Sequence, residues 1–201
     1  MKGFIDKNNI DCVYKKYDID QLFFIGFKAI DSVTEVSELT LNAHKQSDLK
    51  KYSKPVDFLN IAILDVWLGN NDRRITNPNL LLSQNTNGLD LFPIDHTQLF
   101  GNQEGYNILN LAIMDLSQDK MLIGTELVNK ICKFVGNSTT SRLGNSIQDN
   151  MDITLKGLPD FLANMPRPIG LSKKGKDRIY NVLSDKERNG RIVNSFKNRL
   201  K

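Results

Sequence analysis

The stretch from Phe58 to Gly101 restricts the possible folds more than any other: FLNIAILDVWLGNNDRRITNPNLLL, a polar turn, then LDLFPIDHTQLFG. Pro55 suits a first helical position. The run Val56–Leu68 that follows carries Phe58, Leu59, Ile61, Ala62, Ile63, Leu64, Val66, Trp67 and Leu68. Apolar residues all round a helix mark one buried in a core, and Gly69 supplies its stop. Asp65 is the one charge inside it. It is expected to be a satisfied carboxylate, bonded to a nearby loop amide or Arg, because an unpaired buried charge is costly. NNDRRITNPN is loop and turn chemistry, with Pro78, paired Asn and Asp72. Leu80–Leu82 and Leu89–Ile94 read as strands joined by SQNTNG, whose Asn87-Gly88 is a hairpin signal. The second strand delivers Asp95 to its end. Asp72, Asn77 and Asp95 therefore stand at element ends that can converge on one point.

The 201 residues, 40% of them apolar, suffice for a core in one domain, with room for two lobes or a terminal appendage. Two cysteines, Cys12 and Cys132, are too few and too distant for a disulfide scaffold or a zinc site, and suggest a reducing, cytoplasmic setting. The opening MKGFIDKNNIDC lacks the apolar segment of a signal peptide, and no run reaches the roughly 18 apolar residues of a membrane span. The net charge of +4 is unevenly placed: from Ser172 onward there are ten Lys/Arg against three Asp/Glu, a local +7, leaving the rest near −3.

Elsewhere the chain reads as mainly helical. LFFIGFKAI (22–30) is an aromatic, β-prone strand passing into a turn at Gly26. A helix is expected from Ser32 or Thr34, carrying Val33, Val36, Leu39 and Ala43, with Thr34, Ser37 and Glu38 as capping groups. Ile108–Leu116 and Thr125–Val135 read as helices, GNSTTSRLGN (136–145) as a polar linker, and Ile147–Leu155 as another helix. LPDFLANMPRPIGLS (158–172), with three prolines, reads as an ordered turn region. A final helix or helix pair spans Lys173–Leu200, interrupted near Asn189-Gly190.

Phosphoryl transfer asks little covalent help of a protein. It needs a carboxylate to orient or deprotonate the attacking hydroxyl, and ligands for the metal that bridges nucleotide phosphates. In the D-x-x-x-x-N spacing of Asp72 and Asn77 the base sits at one end of a tight loop and an amide oxygen at the other. Mg²⁺ keeps waters and phosphates, so one Asn and one Asp, Asn77 and Asp95, are sufficient protein ligands. Arg73 and Arg74 can neutralise phosphate charge or fix the loop through carbonyls. The alternative for the isolated loop is structural, with Asp72 a turn residue and Asn77 an Asx-turn.

DVWLGNNDRRITNPNLLL followed by PIDHTQLF resembles the HipA-like kinases, in the branch whose loop reads close to N-x-D-R-x-x-x-N-P-N-L-L and whose metal strand ends in I-D-H. More distantly it is similar to phosphatidylinositol kinases. The resemblance implies an α+β, mainly helical fold: a protein-kinase-like C-lobe over 32–201 with a small β hairpin at the active site. It implies Asp72 as catalytic base, Asn77 and Asp95 as Mg²⁺ ligands on the ATP phosphates, and Asn79 and His96 as supporting residues. Arg74 departs from the branch, which often has His there.

Upstream the departure is larger. LFFIGFKAI maps to the strand and hinge that meet the adenine, which makes Phe24 and Gly26 the expected ATP contacts. Residues 1–31 are then a remnant N-lobe and hinge. Before Gly69 the only glycines are Gly3 and Gly26, so no Gly-rich phosphate cover exists, and Lys15 and Lys16 are the only default candidates for a strand lysine. Either a separate N-lobe or antitoxin-like partner chain completes a split kinase, or the chain is a reduced relative with little nucleotide affinity. The expected activity is transfer to a protein Ser/Thr hydroxyl. The alternative is a non-catalytic subunit of a bacterial toxin–antitoxin or mobile-element system.

The remaining candidates are weaker. His44 and His96 have no Cys or His at ligand spacing, so zinc is not expected, and His44 reads as exposed on its helix. Ser83 and Ser117 lack a nucleophile-elbow context. In the basic segment 172–201, Lys173, Lys174, Lys176, Arg178, Arg188, Arg191, Lys197 and Arg199 can contact nucleic-acid phosphates. Against that, Ile179, Val182, Leu183, Ile192, Val193 and Phe196 recur at helical spacing, so a solvated charged face on packed helices is the preferred reading.

Overall fold

In the computed structural model, residues 30, 32–38, 41, 45–96, 98–102, 121–165 and 171–200 are described. Phe24, Gly26, Lys15, Lys16, the strand expected in LFFIGFKA, the helix expected at Ile108–Leu116, Cys12, His44 and Ser117 lie outside them. The fold is α+β and mainly helical, with one small antiparallel sheet.

Helix α1, Asp57–Leu68, is the centre of the core. Phe58, Leu59, Ile61, Ala62, Val66 and Trp67 are buried, whereas Leu64 is 39% exposed, so α1 is covered on most of its circumference but not all. Gly69 takes the left-handed conformation (φ 62°, ψ 41°) that glycine adopts without a Cβ penalty. Its N–H donates to Val66 O (3.2 Å) and that of Asn70 to Asp65 O (2.8 Å), the two bonds of a Schellman stop.

Strands β1 (Val33–Glu35), β2 (Leu80–Asn85) and β3 (Gly88–Pro93) form the sheet in the order β1-β2-β3. The β2–β3 hairpin has the expected place and runs Leu80↔Pro93 through Asn85↔Gly88. Strand β1 corrects the expected helix from Ser32 or Thr34: Val33–Glu35 pairs with Leu81–Ser83, and Val36 N–H donates to Leu80 O (2.9 Å). The β-branched pair Val33-Thr34 suits that edge position. Helical bonding begins only at Ser37, whose carbonyl accepts from Leu41 N–H (3.1 Å).

Helix α2 runs Glu126–Ala163 with a non-helical interruption at Gly136 (φ 78°, ψ 162°). Residues 137–145, expected as a linker, are helical, and so are 158–163, expected as a turn region; α2 continues through Pro159. The linker reading fails because Thr140, Gly144 and Ile147 form a buried stripe, and Gly144 lets Lys197 and Leu200 approach closely. Helices α3 (Lys173–Ser184) and α4 (Lys186–Arg199) follow. Their break is at Asp185 rather than Asn189-Gly190, because Asp185 caps α4 by accepting from Arg188 N–H (2.7 Å). Ser172 caps α3 likewise, accepting from Gly175 N–H (3.0 Å).

The apolar residues of α3 and α4 pack as expected: Ile179, Val182, Leu183, Ile192, Val193 and Phe196 are all buried. Arg188 is not part of a charged surface. It is 1% exposed and donates to Val66 O (3.1 Å) and Trp67 O (2.8 Å) at the C-terminal end of α1. Among the described residues no helix is long and apolar enough to cross a membrane.

Candidate functional site

The site grows out of the stop of α1. The Schellman turn at Gly69 folds Asn70 back over the last helical turn, where its Nδ2 donates to Asp65 Oδ1 (2.9 Å). Asn70 Oδ1 faces forward and accepts from the Asp72 N–H (3.3 Å). Asn70 is fully buried, and both ends of its amide are used to link the helix to the loop. Asp65 is thus satisfied by a loop amide and an arginine, as the sequence reading requires.

That arginine is Arg73, also fully buried. Its Nε lies 2.9 Å from Asp65 Oδ2 and 3.2 Å from Oδ1. Its Nη1 donates to Pro78 O (3.3 Å), to Asn79 O and to Ile94 O (3.1 Å), and its Nη2 to His96 Nε2 (3.2 Å). Of the two roles open to it, Arg73 takes the structural one, fixing the loop through carbonyls. One guanidinium ties the end of α1, the far end of the loop and the exit of β3. Arg74 is exposed, with Nε donating to Asn71 O (2.6 Å).

Burial pushes the Asp65 carboxyl up to about 6, while Arg73 and Asn70 oppose that rise and keep it ionised at neutral pH. His96 is shifted the other way, below its ordinary value: burial is the largest cause, the Arg73 guanidinium adds to it, and Asp95 works against both. Because an arginine can only donate, His96 Nε2 accepts, which makes the ring neutral with its proton on Nδ1.

The remaining residues stand at the same end of the hairpin. Asn79 Nδ2 donates to Asp72 Oδ2 (2.9 Å), leaving the Oδ1 edge of the carboxylate to face other groups. Asn77 and Arg74 exchange both backbone bonds (3.0 and 3.2 Å) around Ile75-Thr76, so Asn77 is held by its backbone while its side chain is exposed. The Ile94 N–H donates to Asn79 O (2.9 Å), one step beyond the Leu80↔Pro93 pair. Both strands leave the ladder here, since Asn79 (φ 47°) and Asp95 (φ 51°) are left-handed. Non-glycine residues in that region are uncommon, and surrounding bonds must hold them there.

The loop and the strand end thus carry Asp72, Asn77, Asn79, Asp95 and His96 to one end of the hairpin. No group of three or more His, Cys, Asp or Glu is placed to hold a metal among the described residues. An amide and a carboxylate of hard oxygen character fit Mg²⁺ only together with waters and nucleotide phosphates. Asn70 and the full reach of Arg73 were not assigned a role from sequence. The available signal was Asn70 directly after the helix-stop glycine, where a side chain returns over the last turn.

Comparison with protein-family models, with curated proteins and with solved structures finds no match.

Proposed function

We propose that the chain is an ATP- and Mg²⁺-dependent phosphotransferase of the HipA-like kinase type, acting on a protein Ser/Thr hydroxyl. The observation that carries this reading is the Arg73 joint. It fixes the Asp72 loop to the Asp95 strand end, and phosphoryl transfer depends on positioning more than on covalent chemistry. In this reading Asp72 receives the acceptor hydroxyl on the carboxylate edge not occupied by Asn79. Asn77 and Asp95 would hold Mg²⁺, which would neutralise developing charge on the nucleotide phosphates.

Transfer of the ATP γ-phosphate to a protein acceptor, measured with wild type, Asp72→Asn and Asp95→Asn, tests this. Each substitution is expected to lower the rate by about 10²- to 10⁴-fold while the circular dichroism of the fold is kept. Wild-type rates in both variants would overturn the assigned roles. The assay is run with the chain alone and with a candidate N-lobe partner chain.

A second reading, a non-catalytic interaction subunit, draws on Lys173, Lys174, Lys186 and Arg191, which are exposed on α3 and α4. Such a module has no need of nucleotide, so a Mg-ATP titration separates the two.

A further inference from the structure

The loop that carries Asp72 has a second support, from the far end of the chain. Arg188 and Asn189 lie in the first turn of α4, both almost fully buried. Arg188 Nη2 donates to the carbonyls of Val66 (3.1 Å) and Trp67 (2.8 Å), and the Trp67 ring Nε1–H donates to Asn189 Oδ1 (3.1 Å). Asn189 is in turn fixed by its Nδ2, which donates to Leu183 O (2.8 Å) at the end of α3. A guanidinium at the C-terminal end of a helix meets carbonyls that have no partner within the helix, and the negative end of its dipole. Val66 O is shared between Arg188 and Gly69 N–H, so the latch acts on the turn that starts the loop.

From that turn the connection to Asp72 is short and made of named bonds. Asp65, one helical position before Val66, accepts from Asn70 through both its backbone carbonyl and its carboxylate. Asn70 accepts the Asp72 N–H, and Asp65 anchors Arg73. We propose that Arg188 and Asn189 are positioning residues for Asp72, acting through the last turn of α1. They touch none of the reacting groups. They set the geometry of residues 65–72, and the C-terminal helix pair is thereby part of the loop's support as well as of the core. The catalytic consequence rests on the kinase reading; the positioning itself does not.

Amide-resolved native-state hydrogen exchange on the full chain, with Arg188→Lys and Trp67→Phe, tests this. A lysine keeps the charge but lacks the planar guanidinium whose Nη2 reaches both carbonyls, and phenylalanine removes the ring N–H together with part of the buried indole volume. Both variants should speed exchange at Asn70 and Asp72 by about tenfold or more, with the β2–β3 ladder amides unchanged. In a phosphotransfer assay they should lower kcat and leave KM for Mg-ATP within about twofold, the pattern of lost positioning rather than lost binding. Exchange at Asn70 and Asp72 that stays at the wild-type rate, or that rises equally along the whole chain, overturns the proposal. A wild-type chain without phosphotransfer in any pairing refutes the kinase reading, and the exchange result then decides the latch alone.

Discussion

Arg73 shows what a buried charge can do when every neighbour is arranged for it. A guanidinium without exposure has lost its water, and it is retained because a carboxylate and three carbonyls replace that water. Removing it therefore leaves more than a cavity. In Arg73→Met the Asp65 carboxylate stays buried without its cation, and the expected loss is about 3–5 kcal/mol in urea unfolding. A change under about 1 kcal/mol would mean that the pair is not the joint described. The Asp65 carboxyl gives the same site a pH signature. Its folded pKa of about 6 lies above the ordinary carboxyl value of 3.8, so between these values the folded state holds more proton than the unfolded one. Stability from this group is then fully present below about 4 and is lost as pH rises to about 6. Wild-type unfolding free energy, measured relative to Asp65→Asn across that window, should fall with rising pH and level off above it. A difference that rises instead would reverse the assignment of burial as the dominant cause.

At the scale of elements, what the sequence revealed and what it hid divide by the kind of signal involved. Helix α1 and the β2–β3 hairpin were legible because each carries its own local instructions: an apolar run closed by Gly69, and paired strands closed by Asn87-Gly88. Asp72, Asn77 and Asp95 were legible as candidates for the same reason, as polar residues at the ends of strongly signalled elements. Strand β1 was hidden because VTEV fits helical and extended spacing equally, and only its pairing with β2 decides. Residues 137–145 were hidden because small polar residues, which look like a linker in isolation, are what lets α2 lie close to α4. The glycines separate these cases experimentally. Gly88 (φ 128°) has Lys51 O where a Cβ would go, and Gly136 (φ 78°) has open space. Gly136→Ala should therefore cost about 1–2 kcal/mol from backbone strain alone. Gly88→Ala should cost more, since the Lys51–Ser53 backbone must also move. Gly190, inside α4 with open space at its Cβ position, should behave oppositely: Gly190→Ala is expected to stabilise by about 0.5–1 kcal/mol. Thermal melts of the three variants give the ranking, and a Gly136→Ala protein as stable as wild type would contradict it.

On the scale of the whole molecule, α1 packs against α2, α4 and β3. The loop that leaves it is fixed at its start by Asn70 and at its end by Arg73, and so has little freedom to rearrange around a ligand. A site so preorganised should report ligand binding as added stability of the whole fold, because what binds only the folded state stabilises it by mass action. Mg-ATP at 100 times its Kd is then expected to add about 2.7 kcal/mol to unfolding. The two acidic residues should differ in this experiment although the proposed transfer needs both. Asp95→Asn removes a proposed metal ligand and should abolish the added stability. Asp72→Asn removes a group proposed to meet the hydroxyl and should leave the added stability intact. If both variants keep the wild-type increment, Asp95 holds no metal. If the wild-type chain gains nothing from Mg-ATP alone but gains it beside a partner chain, the adenine side of the site belongs to that partner, whereas tight binding by the lone chain removes the need for one.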